Sequence, residues 1–183
     1  MMSRFRLTAV VGVTVLLAAF AFVLGAAPAL ADGNGIVESV TGSSRMTVPL
    51  SVFDPSLEGD AEMRTLSYNA LRHANGDVSG QYQYYVAVQG DADTVHGTII
   101  CFKVEGNRAW IGATVDQTTD PTVEGLFSWW QVEDNGQGAL SQADRTTFLG
   151  FGTLAETIAY CEGPEPNFIF EIDHGNIQVR DDG

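Results

Sequence analysis

The side chains best placed by type and spacing to do chemistry are carboxylates. Glu133-Asp134-Asn135-Gly136-Gln137-Gly138, followed by Asp144-Arg145, is the richest polar stretch in the chain. If successive strands reverse direction, the loops at Asn75-Gly76, Gly106-Asn107 and 134–144 fall at one end of the domain. That end would gather Asp77, Glu105, Glu133, Asp134 and Asp144. Calcium takes about six to eight oxygen ligands, backbone carbonyls included, so the cluster is a candidate metal site. Its spacing is not that of an EF-hand loop. The competing reading is a plain turn at Asp134-Asn135-Gly136, with Asp144 and Arg145 paired or capping. Paired carboxylates could instead serve a hydrolase or isomerase, which needs one of them in a cleft with a raised pKa. Other chemistries have little to stand on. The sequence holds no G-x-S-x-G, no phosphate-cradling glycine loop before a helix and no Cys/His metal spacing. Of the three histidines, His73 ends one strand and His96 begins the next but one, so they and His174 are expected apart.

A second group of candidates is aromatic. Tyr82, Tyr84, Trp110, Trp129 and Trp130 offer large contact area with a polar handle, so they are candidate ligand-contact residues. They either fill a core or line a cavity inside a small barrel, which can hold one ligand.

The elements that must position these groups are strands. Val78, Tyr82, Tyr84 and Val86 share one face; Ala109, Ile111, Ala113 and Val115 share another, with a period of two. Ile99-Ile100-Cys101-Phe102 is apolar on both faces and reads as a central strand covered on both sides. Asn75-Gly76, Glu105-Gly106-Asn107, Gln89-Gly90-Asp91-Ala92-Asp93 and His174-Gly175-Asn176 supply the turns. The pattern predicts strands near 36–41, 45–51, 63–73, 77–88, 94–104, 108–116, 125–133, 145–151 and 156–161, with one or two more in 167–180. A short helix is expected only around Pro55–Ala61. The fold class is therefore all-β: an antiparallel meander of about nine strands forming a small barrel, or alternatively a two-sheet sandwich.

The compartment follows from residues 1–31. Arg4 and Arg6 precede an apolar run from Leu7 to Ala27, which ends at Pro28-Ala29-Leu30-Ala31, an A-x-A cleavage pattern. A retained anchor is the alternative, since the run is long enough to span a bilayer. Pro28 and its small neighbours favour cleavage. One exported domain, 32–183, is expected, secreted or otherwise outside the cytoplasm, with no membrane contact once the signal is gone. All 23 acidic residues lie in it, against seven of the nine basic ones. The charge of −14 thus becomes 7 − 23 = −16 on cleavage. Such a field argues against nucleic acid as a partner. In an oxidising compartment the even pair Cys101 and Cys161 predicts one disulfide.

An ordered set of motifs adds a resemblance. Ser67-Tyr68-Asn69-Ala70, His73-Ala74-Asn75-Gly76, Ser79-Gly80-Gln81, Val95-His96-Gly97 and Gly106-Asn107-Arg108-Ala109-Trp110-Ile111-Gly112 come first. Val132 through Gly138, Asp144-Arg145 and Gly175-Asn176-Ile177-Gln178-Val179-Arg180 follow. The chain resembles a group of uncharacterised exported bacterial proteins built as one small β-domain behind a signal peptide. The resemblance implies no activity. The acidic 50–62 segment and the Pro164-Glu165-Pro166 loop depart from it.

The leading expectation is a non-enzymatic exported β-domain. It would bind a small apolar ligand in a barrel interior, or an extracellular protein or other cell-surface partner on a sheet face. A carboxylate-dependent hydrolase or isomerase, and a calcium-stabilised structural domain, are the alternatives.

Overall fold

The computed structural model describes residues 35–88, 91–137, 141–164 and 169–181. The segment expected to be an export signal, and Gln89-Gly90 of the expected turn, lie outside them. The strands are β1 (Ile36–Pro49), β2 (Ala61–His73), β3 (Val78–Val88), β4 (Asp91–Glu105), β5 (Arg108–Thr114), β6 (Gln117–Thr118), β7 (Phe127–Glu133), β8 (Arg145–Thr146), β9 (Gly150–Gly152), β10 (Phe170–Glu171) and β11 (His174–Asp181). One helix, α1 (Leu154–Cys161), interrupts them. Every pairing is antiparallel. Nine strands follow the order β10-β8-β7-β5-β4-β3-β2-β1-β11, curled as a half-barrel; β6 pairs with β4, and β9 with β7, off this path.

The curl comes from β4. Its first half pairs with β3 as far as Gln81 opposite Thr98. Its second half pairs with β5 from Ile99 opposite Ala113 onward, with a register shift between Ile99 and Cys101. A bulge bends a strand and increases its twist, so β4 turns the corner that carries the sheet round.

The concave side carries a cluster of large rings. Gly42, Tyr68, Tyr82 and Gly97 lie in one row across β1, β2, β3 and β4. A Cβ on Gly42 would lie 2.6 Å from the Tyr68 hydroxyl, and one on Gly97 would lie 2.6 Å from the Tyr82 ring. Two large rings thus fit because the flanking strands offer none. Trp130 of β7 meets both, with centroids 5.7 Å from Tyr68 and 5.1 Å from Tyr82. Each such aromatic pair is worth about 0.5–1.5 kcal/mol beyond its buried area.

Several local expectations need correction. The turn expected at His174-Gly175-Asn176 is the start of β11, paired with β1 from Arg45 to Ser43, because Gly175 lets the strand pass close over the Ser43 carbonyl. Asp91 to Asp93 of the turn expected at 89–93 already belong to β4, and the strand expected at 145–151 is split into β8 and β9. Strands expected at 36–41 and 45–51 are one continuous β1. The helix expected at Pro55–Ala61 is only a 3-10 turn, Pro55–Leu57, capped by the Asp54 side chain. The strand expected at 156–161 is part of helix α1, whose start is fixed by a capping box between Thr153 and Glu156. This reciprocal pair satisfies two backbone N–H groups that the first helical turn leaves open.

Helix α1 covers the outer side of β5 and β7, so these strands are buried on both faces. The predicted disulfide pins it there: Cys101 of β4 joins Cys161 at the helix end, across a separation of 60 residues. Closing a loop of that length stabilises the fold by about 4 kcal/mol on the chain-entropy model. Gly112 makes the close approach possible. A Cβ there would lie 2.6 Å from the Thr157 methyl, 2.7 Å from the Cys101 sulfur and 2.8 Å from the Cys161 sulfur. Gly112→Ala should therefore lower stability by about 1–3 kcal/mol through overpacking. Urea denaturation checks this, and an unchanged midpoint would show that α1 is not seated on Gly112.

Candidate functional site

The carboxylates expected at one loop end have separate duties. Glu133 is buried and bridges two arginines, Arg108 at 2.9 Å and Arg145 at 3.2 Å. Asp144, also buried, accepts from the Asn135 N–H through Oδ1 at 2.9 Å and from the Ile177 N–H through Oδ2 at 2.8 Å. Asp134 accepts from Val179 N–H at 3.0 Å through Oδ2 and from Gly136 N–H at 2.9 Å through Oδ1. The turn at Gly106-Asn107 does join this corner, because the Asn107 amide donates to the Asp134 carbonyl at 3.0 Å. Asp77 and Glu105 have partners of their own: Asp77 is held by Asn75, and Glu105 pairs with Lys103 at 3.5 Å. Among the described residues no group of three or more His, Cys, Asp or Glu side chains is arranged to hold a metal ion.

Asp134 and Asp144 therefore close a seam. β11 is an end strand, and the Ile177 and Val179 N–H groups point away from β1 with no further strand beyond them. The two carboxylates take the place of that missing strand. Charged acceptors give hydrogen bonds about twice as strong as neutral ones. The chain crosses the same seam at Ile172 and Asp173, whose N–H groups donate to the carbonyls of Asp144 and Arg45.

Four of the five aromatic candidates are buried: Tyr82, Tyr84, Trp110 and Trp130. Tyr82 and Trp130 belong to the interior, where the Ser128 hydroxyl donates to the Tyr82 oxygen at 2.8 Å. Burial raises the pKa of both Tyr82 and Tyr84 to about 12. Tyr68, which sequence reasoning did not single out, is the third ring of this cluster. Its pKa is raised further, by burial first and then by the nearby Asp144 and Asp134 charges. Trp110 and half-buried Trp129 lie in the other layer, beneath α1. Trp110 donates to the Pro164 carbonyl at 2.7 Å, and Trp129 meets Tyr160 at 5.9 Å between centroids.

A different surface carries an unusual pattern. The convex side of β1, β2, β3, the first half of β4 and β11 is not covered by α1. No outward-facing residue of these strands is Asp or Glu. Across its centre Asn69 stands opposite Gln81, and Ser67 opposite Gln83, which in turn faces His96. All three histidines project from this side, at separate places. A depression of about 360 Å³ lies over Ser67, Asn69, Gln81, Gln83 and His96. The sequence held the signal, since every second residue from Ser39 to Arg45 and from Thr65 to Leu71 lacks acid. It becomes visible as a surface only when the strand register aligns the rows.

Asp144→Ala should cost about 1–3 kcal/mol, because two buried or half-buried N–H groups lose their acceptor. Asp77→Ala, in an exposed turn, should stay within about 0.5 kcal/mol of the parent. Denaturant midpoints measure both, and equal effects would refute the seam role.

Compared with known protein families, curated proteins and solved structures, the chain matches none.

Proposed function

We propose that the protein is a non-catalytic, exported binding domain that works through the uncovered outer face of its sheet. The observation that carries this reading is the division of labour between the two sides. The concave side is occupied by Tyr68 and Tyr82, each against Trp130. This favours a partner on the sheet face over a small apolar ligand within. The carboxylates that a hydrolase or a calcium site would use are engaged in the Glu133 ion pairs and the β11 seam, which favours binding over both alternatives. The disulfide accords with an oxidising compartment. No described helix is long and apolar enough to cross a membrane.

Amide chemical-shift mapping of the labelled domain against a solubilised bacterial cell-envelope fraction tests the reading. Perturbations should gather on outward residues of β1 to β4 and β11, at Ser67, Asn69, Gln81 and Gln83 above all. Perturbations confined to Tyr68, Tyr82 and Trp130, or to the loop around Asp134 and Asp144, would overturn it.

A further inference from the structure

We propose that helix α1 is a redox-released cover: an external dithiol reduces the Cys101–Cys161 bond through the cleft beside it, and the helix then lifts from β5 and β7 while the sheet stays folded. The way α1 is fastened points to this. Its start follows β9 directly and is organised by its own capping box, Thr153 with Glu156. Its attachments to the sheet gather toward the other end. There the disulfide holds Cys161, and Tyr160 meets the Trp129 ring. The Lys103 ammonium donates to the Glu162 carbonyl at 3.0 Å, and the Trp110 indole donates to the Pro164 carbonyl at 2.7 Å. Within the helix only Thr157 and Cys161 are buried, while Leu154 and Ile158 face solvent. A helix of eight residues does not persist on propensity alone. The element is therefore hinged beside β9 and latched at Cys161, and the covalent part of the latch is the disulfide.

The latch is within reach. Cys101 and Cys161 both line a cleft of about 440 Å³, which opens where β3 and the second half of β4 part. Cys101 is the less buried of the two, so its sulfur is the one a thiolate meets. What the cover shuts in favours opening. Gln131 of β7 stands opposite Trp110, on which Gly163 and Pro164 rest. It is fully buried, and among the described residues neither its amide nitrogen nor its amide oxygen has a hydrogen-bond partner. A buried polar group without a partner stabilises whichever state returns it to water.

A thiolate of the dithiol attacks the Cys101 sulfur. The S–S bond breaks, and Cys161 leaves as a thiolate that takes a proton from water. The dithiol's second thiol, deprotonated in turn, displaces Cys101. Two protein thiols result, and the dithiol is oxidised to its own disulfide. In an oxidising compartment the cover stays shut; a dithiol oxidoreductase is the class of partner that opens it. Opening bares Trp110, Trp129 and Gln131 beside the part of the outer face that α1 leaves uncovered.

Dithiothreitol added to the folded protein without denaturant tests the proposal, read by iodoacetamide alkylation, amide chemical shifts and hydrogen exchange. Both cysteines should become alkylated. The Thr157 to Cys161 amides should move to unfolded shifts and exchange at least about tenfold faster, while Val40 and Ala70 keep the shifts of the folded sheet. The double variant Cys101→Ser, Cys161→Ser should show the same pattern with no reductant. A bond that yields to the dithiol only after denaturation would overturn the proposal. So would helix amides that keep their shifts and rates after reduction. Loss of the folded shifts at Val40 and Ala70 together with those of α1 would overturn it too, because the disulfide would then hold the whole fold rather than a cover.

Discussion

A sheet that curls without closing leaves two edges, and this fold depends on how the β11 edge is satisfied. An exposed edge offers unpaired N–H and C=O groups to any other strand. Here Asp134 and Asp144 reach from the loop after β7 to the Ile177 and Val179 N–H groups. The same two residues shape their own loop through Gly136 and Asn135. The bonds thus tie together segments more than thirty residues apart, and they hold the loop before β8 where Arg145 can reach Glu133. Immediately inside the seam lies Tyr68, whose ring is one wall of the packed interior. Core and seam are therefore not separate features: the rings fill the space that the seam encloses.

The opposite side is secured by different means. Helix α1 has only eight residues and sends Leu154 and Ile158 to solvent, while Thr157 and Cys161 face the sheet. So small an apolar contact would hold an isolated helix weakly. The capping box at its start, the disulfide at its end and the absent side chain of Gly112 supply what its burial does not. Helix α1 covers the outer side of the sheet over β5 and β7 and reaches the second half of β4, but not β1 to β3 or the first half of β4.

How much of this the sequence disclosed depends on the range of the interaction. The strands of period two and the Asn75-Gly76 and Gly106-Asn107 turns were legible because their signals are local. So was the disulfide, from cysteine number and expected compartment. The helix was misread because Glu156 to Cys161 is short, although the Thr153 to Glu156 capping box was present in the sequence. Of the carboxylates expected at one loop end, Asp77 and Glu105 have partners of their own, while Glu133, Asp134 and Asp144 lie around the loop that Asn107 joins. Their duty was hidden, since it requires β11, which joins from the far end of the chain. The acid-free face was hidden for the same reason: its rows are assembled from five strands and exist only in register.

Native-state hydrogen exchange on the unmodified domain tests the seam most directly. Ile177 and Val179 have no neighbouring strand on the side to which their N–H groups point. If Asp144 and Asp134 hold them, both amides should exchange as slowly as ladder amides in the interior of the β1–β2 pair, such as Val40 and Ala70. Exchange at the rate of open-edge or loop amides would contradict the account, because β11 would then be bound by β1 alone.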